Sequence, residues 1–590
     1  MRRLGRLFVA VLAGFGLLFL LLVGGGIWAA ATLQHRLEPR LPKHMVLTLD
    51  LEARLRETQT ADPLAALSGE RSYVVREVVA ALEGAGADER VSALFATIGQ
   101  GRLSMAAAQE IRDAVTRFRA SGKPAVLFAE TIGEFGDGTV GYYLASAFSQ
   151  IWLQPSGEVG LTGFAAEAPF LKGTLDLLGV QPQMAGRKEY KSAIETFTET
   201  GYSPAHAESV AALLDAWTGQ AVSGIAQGRR LGADKVRALF GKGPFLSAEA
   251  LSAGLVDKLG YRDQAWAAVG GSARSGSGGI DIADYARHLP RGEGPRLAVI
   301  TGIGPIVRGE ADSPLGGGEA FGAATIAGAF RDAIDDPAVK AILFRIDSPG
   351  GSYVASDSVW NEVGRARAAG KPVIASMAGV AASGGYFVAM GADKVVAQPG
   401  TITGSIGVFS GKMVLADFWR KLGISWDGLK RGDNADMFSA NRPFSPAAWE
   451  RVNAMLDAIY ADFTGKAARG RALSPDQVEA AAKGRVWAGS DALERGLVDR
   501  LGGWDAAQAE LRAALHLEAA SPLDLVDYPR PQKPWQRLAK ALSGGGLAED
   551  DGVRALMGAA RLLAPVAAAL EAAAPQAGAL RMSPVPMAAP

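Results

Sequence analysis

A chain of 590 residues exceeds what one hydrophobic core supports, so two or more domains are expected. Lysine plus arginine equal aspartate plus glutamate at 61 each, and no basic stripe stands out beyond the N-terminus, which removes the field that draws proteins to nucleic acid. The absence of cysteine excludes disulfides, thiolate metal sites and a cysteine nucleophile together, while 48% apolar against 21% charged residues is a globular balance raised somewhat by a membrane segment.

The chain opens with Arg2, Arg3 and Arg6 ahead of an uncharged stretch from Leu7 to Gln34, whose apolar part, Leu7 to Ala31, is 25 residues long. At about 1.5 Å rise per residue, that run crosses the hydrocarbon core with some tilt. Residues 1–34 are therefore expected to be a cytoplasmic N-terminus and transmembrane anchor, with everything after His35 outside the cytoplasm. A cleaved signal peptide is the alternative, since Ala29-Ala30-Ala31 offers a small-residue cleavage site, but the apolar run exceeds the roughly 7 to 15 residues of a secretory core. The five histidines, His35, His44, His206, His288 and His516, lack metal-ligand spacing, which disfavours a metallopeptidase.

The body of the chain is one unit written twice. Gly254-Leu255-Val256-Asp257-Lys258-Leu259-Gly260 returns 242 residues later as Gly496-Leu497-Val498-Asp499-Arg500-Leu501-Gly502, and Tyr202-Ser203-Pro204 returns as Phe444-Ser445-Pro446 at the same offset. Gly122-Lys123-Pro124 matches Gly370-Lys371-Pro372 at 248, and Gly141-Tyr142-Tyr143 matches Gly385-Tyr386-Phe387 at 244. This period is far longer than the roughly 20 to 50 residues of solenoids and propellers, so two globular copies are expected. Their expected limits are 45–270 and 296–525, joined by a Gly/Ser-rich linker at 271–295 and followed by an Ala/Pro-rich tail at 526–590 with an amphipathic stretch near Val553 to Ala574.

Within the second copy the pattern is α/β. Ala341 to Asp347 has a buried strand's length and ends at Ser348-Pro349-Gly350-Gly351; a helical stretch from Ala355 to Ala369 stops at Gly370. Strands are expected again at Pro372 to Met377 and Lys394 to Gln398, and the alternation implies mainly parallel pairing with crossover helices. Ala382-Ser383-Gly384-Gly385-Tyr386 then falls at a strand-to-helix turn, where free N–H groups and the positive helix end would stabilise an oxyanion. Small neighbours let a substrate carbonyl approach, and the Gly350-Gly351 turn is a second source of N–H donors. A small-residue run is by itself more often a packing turn than a nucleophile. The repeat shifts that balance: Thr139 stands opposite Ser383, and Arg102-Leu103 opposite Gly350-Gly351, so the first copy lacks both features.

No histidine lies near Ser383, which weakens a Ser-His-Asp arrangement and leaves a neutral lysine as the other activator. At this point the sequence resembles the long, tandem-domain bacterial form of the signal peptide peptidase family, also called protease IV. The resemblance rests on Tyr190-Lys191-Ser192-Ala193 in the first copy, with Ser348-Pro349-Gly350-Gly351, Ala382-Ser383-Gly384-Gly385-Tyr386 and Thr403-Gly404-Ser405-Ile406-Gly407 in the second. It implies a Clp-protease/crotonase-like fold, Ser383 as nucleophile, Lys191 as general base, Ser405 holding the lysine amine, and Gly351 and Gly384 as oxyanion donors, with no cofactor. Asp433 stands opposite Lys191 and Leu161 opposite Ser405, so each copy lacks what the other has.

The mechanism makes a demand on Lys191, whose amine must fall from an ordinary pKa of ~10.4 to near 7, roughly 4 kcal/mol of preference for the neutral form. Docking of the two copies around the amine, with Tyr190 and Ala193 as apolar neighbours and substrate excluding water, is the expected source. The resemblance further implies signal peptides and other extended hydrophobic peptides as substrates, a homotetramer, and a bacterial inner-membrane protein with its catalytic domains on the periplasmic side. A crotonase-like acyl-CoA enzyme and a catalytically silent membrane scaffold are the rivals: export argues against the first, and a Lys191 exposed and remote from Ser383 would favour the second.

Overall fold

A computed structural model describes residues 41–58, 71–99, 103–270, 279–290, 294–310 and 320–530, so the expected anchor at 1–34 and the stretch from Val553 to Ala574 lie outside the described residues. Among the described residues no helix is long and apolar enough to cross a membrane.

The first unit begins with β1 (Met45–Asp50), β2 (Val91–Ile98), β3 (Ala125–Ala129) and β4 (Gln150–Leu153), leaves its sheet for an arm, β5 (Gln181–Arg187), and returns with β6 (Lys258–Leu259) and β7 (Gly279–Asp281). The sheet order is β6-β4-β3-β2-β1-β7 with every neighbour parallel. Helices α1 (Val75–Ala87), α2 (Met105–Ala120), the 26-residue α3 (Pro204–Arg229) and α4 (Ile282–Arg287) complete the crossovers.

The second unit repeats this order. Strands β8 (Arg296–Ile303), β9 (Val339–Ser348), β10 (Val373–Ala382), β11 (Lys394–Ala397), β15 (Arg500–Leu501) and β16 (Asp524–Tyr528) run β15-β11-β10-β9-β8-β16, all parallel. Three further strands belong to this half: β12 (Ile402–Gly404), β13 (Val408–Val414) and β14 (Val486–Ala488). Because β10 has ten residues, its first half pairs with β11 and its end with β12, whose outer edge takes β14 antiparallel. The helices are α5 (Ala323–Asp335), α6 (Tyr353–Ala368), α7 (Gly384–Ala389), α8 (Pro446–Arg471) and α9 (Trp504–Ala514).

The repeated motifs acquire physical roles. Ser203 and Ser445 each accept a first-turn N–H, with proline at the first helical position, and so start α3 and α8, both 26 residues long. The lysines of Gly122-Lys123-Pro124 and Gly370-Lys371-Pro372 do one job twice. Lys123 donates to the carbonyls of Ala85 and Asp88 at the end of α1, and Lys371 to those of Ala333, Ile334 and Asp336 at the end of α5. The parallel strands are covered on both faces and so read as continuous apolar runs.

Two expected boundaries move. The stretch taken as linker holds β7 and α4, with Ile280 beside Leu47 of β1 and Tyr285 buried. The stretch taken as tail begins inside β16, which pairs with β8 from Asp524 to Tyr528. Both are short edge strands without an apolar run of their own, so periodicity did not mark them.

The units share one core. Leu297, Leu343, Ile374 and Val396 of the second sheet and Trp504 and Leu511 of α9 belong to the same buried cluster as Leu94, Ile111 and Val115 of the first unit. The arm β5 completes the docking by pairing antiparallel with β13, from Gln181 opposite Val414 to Arg187 opposite Val408. That ribbon carries the chain from the first unit to the loop containing Lys191.

Candidate active site

Ser383 lies at the end of β10 and caps α7 with φ 55° and ψ −116°, a backbone state that costs a residue with a Cβ roughly 1 to 3 kcal/mol and persists only where its surroundings enforce it. They do so here, since the Ser383 N–H donates to the Gly404 carbonyl at 2.8 Å and its own carbonyl accepts from Phe387 at 2.9 Å. The side chain is thereby turned out of the strand ladder at the start of a helix, and the residue is fully buried.

Gly350 and Gly384 press against this turn. A Cβ on Gly350 would lie 2.7 Å from the Gly384 nitrogen and 2.9 Å from Ser383 Cβ, and one on Gly384 would lie 3.1 Å from the Gly351 nitrogen. Only side-chain-free backbone fits here. The consequence is that the N–H groups of Gly351 and Gly384 sit close together beside Ser383, and among the described residues neither is seen to donate to a protein acceptor. Two such donors suit an oxyanion. The Gly350-Gly351 turn is held by the Gly350 N–H donating to Ser348 Oγ at 3.2 Å and by Ile306, which donates to Gly350 and accepts from Ser352.

Lys191 arrives from the other unit. Beyond β5 its amine reaches Ser383 Oγ at 3.0 Å, the Ser405 carbonyl at 2.8 Å and Ser405 Oγ at 3.0 Å. Ser405 is fixed in turn by donating its N–H to the Arg485 carbonyl at 2.7 Å. With Lys191 only 3% exposed, burial brings its pKa down to about 7, so the neutral amine is well populated at neutral pH. All five residues singled out in the sequence, Ser383, Lys191, Ser405, Gly351 and Gly384, thus converge on one point. An amine that can accept a proton, a hydroxyl to give it and two N–H donors together have the parts for acyl transfer.

The cover over Lys191 comes from docking of the two units, as expected, but not from Tyr190 and Ala193. Tyr190 turns away, its hydroxyl donating to Glu208 at 2.9 Å and its ring lying against Arg485, and Ala193 is only half-buried. Instead the second unit supplies the lid through Lys483, Gly484 and Arg485, where Lys483 O accepts from the Tyr190 N–H at 3.1 Å and Gly484 abuts the Lys191 backbone. Nothing in the sequence marked this segment, since at the 242-residue offset Lys483-Gly484-Arg485 stands opposite Gly241-Lys242-Gly243, another short turn of glycine and lysine.

Behind the lysine loop, Glu195 and His206 form a buried pair, with Nδ1 at 2.9 Å from Oε2, while Glu195 Oε1 accepts from Ser203 Oγ at 2.7 Å. The histidine is structural: it anchors the start of α3 to the helical turn that follows Lys191. Replacing Glu195 with alanine removes the partner of the buried His206 ring and of the half-buried Ser203 hydroxyl and is expected to cost about 1 to 3 kcal/mol, read as a lower denaturation midpoint, whereas Glu195→Gln, which keeps an acceptor, costs less.

Comparison with known proteins gives a consistent result. The model of peptidase family S49 matches residues 117–273 and 365–518. The chain is 34% identical over 417 residues to Protease 4 of Salmonella typhi, covering 68% of this chain and 65% of that protein. It is 31% identical over 473 residues to the chloroplastic serine protease SPPA of Arabidopsis thaliana, covering 78% and 68%, and 32% identical over 471 residues to Protease 4 of Haemophilus influenzae, covering 76% and 74%.

Proposed function

Because the chain belongs to peptidase family S49, we propose that it is a serine endopeptidase of the signal peptide peptidase type, built on two Clp-protease/crotonase-like units and working through a Ser383/Lys191 dyad. The observation that carries this function is the 3.0 Å contact between the Lys191 amine and Ser383 Oγ, made by a buried lysine whose pKa is near 7. In the forward step neutral Lys191 takes the hydroxyl proton as Ser383 attacks the scissile carbonyl, and the Gly351 and Gly384 N–H groups bind the oxyanion. The lysine ammonium protonates the leaving amine, and water, deprotonated by the same amine, releases the acyl group. Ser405 holds the amine in line through its carbonyl and hydroxyl.

The substrates proposed are cleaved signal peptides and other extended apolar peptides, which a site made of backbone donors and small residues accepts without a charged specificity group. An N-terminal anchor at 1–34, a periplasmic body and a homotetramer belong to the same proposal. They rest on the amino-terminal sequence and the family resemblance.

A synthetic signal peptide and a fluorogenic apolar peptide, offered beside an acyl-CoA thioester, test the function. Cleavage of the peptides is expected, with kcat/KM falling below an acid limb near pH 7, because the base works in its neutral form and protonation on the acid side removes it. Turnover of the thioester with no peptide cleavage would favour the acyl-CoA enzyme, and an acid limb at the ordinary carboxylate range would rule out Lys191 as the base.

A further inference from the structure

The elements around Lys191 account for its dryness in a specific way. Gly484 has φ +83°, and a Cβ placed on it would lie 2.6 Å from the Lys191 nitrogen, 2.7 Å from its Cβ and 2.8 Å from its Cα. A Cβ on Gly407 would lie 2.5 Å from the Arg187 carbonyl oxygen, 3.0 Å from Gly484 Cα and 3.1 Å from Lys191 Cδ. The two glycines therefore touch each other and enclose the lysine from its backbone to its stem. Both sit on the second unit, and the Gly484 N–H donates to the Ile406 carbonyl at 2.8 Å, tying the turn to the strand end that bears Ser405. Distances of this kind to backbone atoms cannot be relieved by a rotamer change.

Charges are kept off the amine. Arg187 pairs with Asp457, Lys188 with Glu479, Lys483 with Glu189, and Arg485 with Glu208, each at or near the surface. Among the described residues the Lys191 amine hydrogen-bonds only to Ser383 and Ser405. Burial is what lowers its pKa.

We propose that Gly484 and Gly407 are positioning residues that set the basicity of the lysine: the missing side chains let the second unit close on the Lys191 stem and exclude water from its amine. This rests on the dyad proposed above and assigns the tuning of the base to two backbone positions outside the reacting groups. A side chain at either position holds the lysine loop away from Ser405 and admits water, so the amine returns toward the basicity of an ordinary lysine.

The test is the pH dependence of kcat/KM on the apolar peptide for full-length Gly484→Ala and Gly407→Ala. Gly370→Ala serves as control, because Gly370 has φ +75° with nothing within 4 Å of its added Cβ and so shares the backbone strain of Gly484 without the lysine. In both test variants the acid limb is expected to move at least one pH unit upward. Activity at pH 7 should fall at least fivefold and recover toward the wild-type level at pH 9, while KM is little changed and the control keeps the wild-type limb. An acid limb unmoved in variants that fold overturns the proposal. Failure of both to fold while Gly370→Ala folds also overturns it, since the two positions would then serve docking as a whole. If Lys191→Ala itself retains activity, the dyad is wrong, a result distinct from either of these.

Discussion

Replacing Lys191 with alanine is expected to lower kcat on an apolar peptide by about 10,000-fold or more, as is Ser383→Ala, with the double variant no worse than either single one. The non-additivity follows from the geometry: hydroxyl and amine share one proton across 3.0 Å, so loss of either partner abolishes the same step. Lys191→Arg is expected to be as inactive as Lys191→Ala, because a guanidinium keeps its proton at every working pH. Ser405→Ala should cost far less, about tenfold, since the Ser405 carbonyl still accepts from the amine at 2.8 Å. Labelling of Ser383 by a fluorophosphonate should disappear in both Lys191 variants and persist, slowed, in Ser405→Ala. Turnover of Lys191→Ala at a tenth of the wild-type rate would end the case for this base.

Much of this architecture was legible because it was written twice. The Gly-Leu-Val-Asp and Ser-Pro repeats set the copies in register, and the features present in only one copy, Ser383, Ser405 and Gly350-Gly351 against Lys191, were those that converge on one site. Edge strands were not legible, since Gly279–Asp281 gains its strand character from Val46 to Thr48 beside it rather than from its own residues. The arm was equally hidden. Gln181–Arg187 has only Met184 and Ala185 beside a proline, a glycine and three polar residues, and its strand state depends on Val408–Val414, more than two hundred residues away. Docking of the copies over Lys191 was expected, but for the same reason its close neighbours were taken to be Tyr190 and Ala193, when glycines of the other unit press on it.

The second large effect is expected at Arg345, which joins the two units from inside the shared core. This side chain in β9 is 1% exposed, and it donates to Glu57 at 2.8 and 2.9 Å and to Glu110 at 2.7 Å, both on the first unit, as well as to Ser376 of β10 at 2.9 Å. Its guanidinium also lies 5.1 Å from the centre of the Trp504 ring. Arg345→Met keeps the apolar stem and removes the charge, leaving two carboxylates facing each other under cover. Loss of one partner from a buried pair costs about 3 to 5 kcal/mol, chiefly through the charge left behind, and in domains of this size that lowers the melting midpoint by roughly 10 °C. Burial already pushes the Glu110 carboxyl above its usual range, with Arg345 opposing that rise, so removing Arg345 raises it further. A carboxyl raised in the folded state binds more protons there than in the unfolded chain, and stability therefore falls as pH rises through its folded pKa. The loss in Arg345→Met is accordingly expected to be larger at pH 8 than at pH 5, and Glu110→Gln added to it should restore part of the midpoint. An equal loss at both pH values would mean that the guanidinium stabilises the units by packing on Trp504 and not by its charge. Because β9 runs from Arg345 directly into Ser348 and the Gly350-Gly351 turn, the variant should also lose peptidase activity below its melting midpoint, and activity that persists up to the midpoint would separate the docking of the units from the shape of the oxyanion turn.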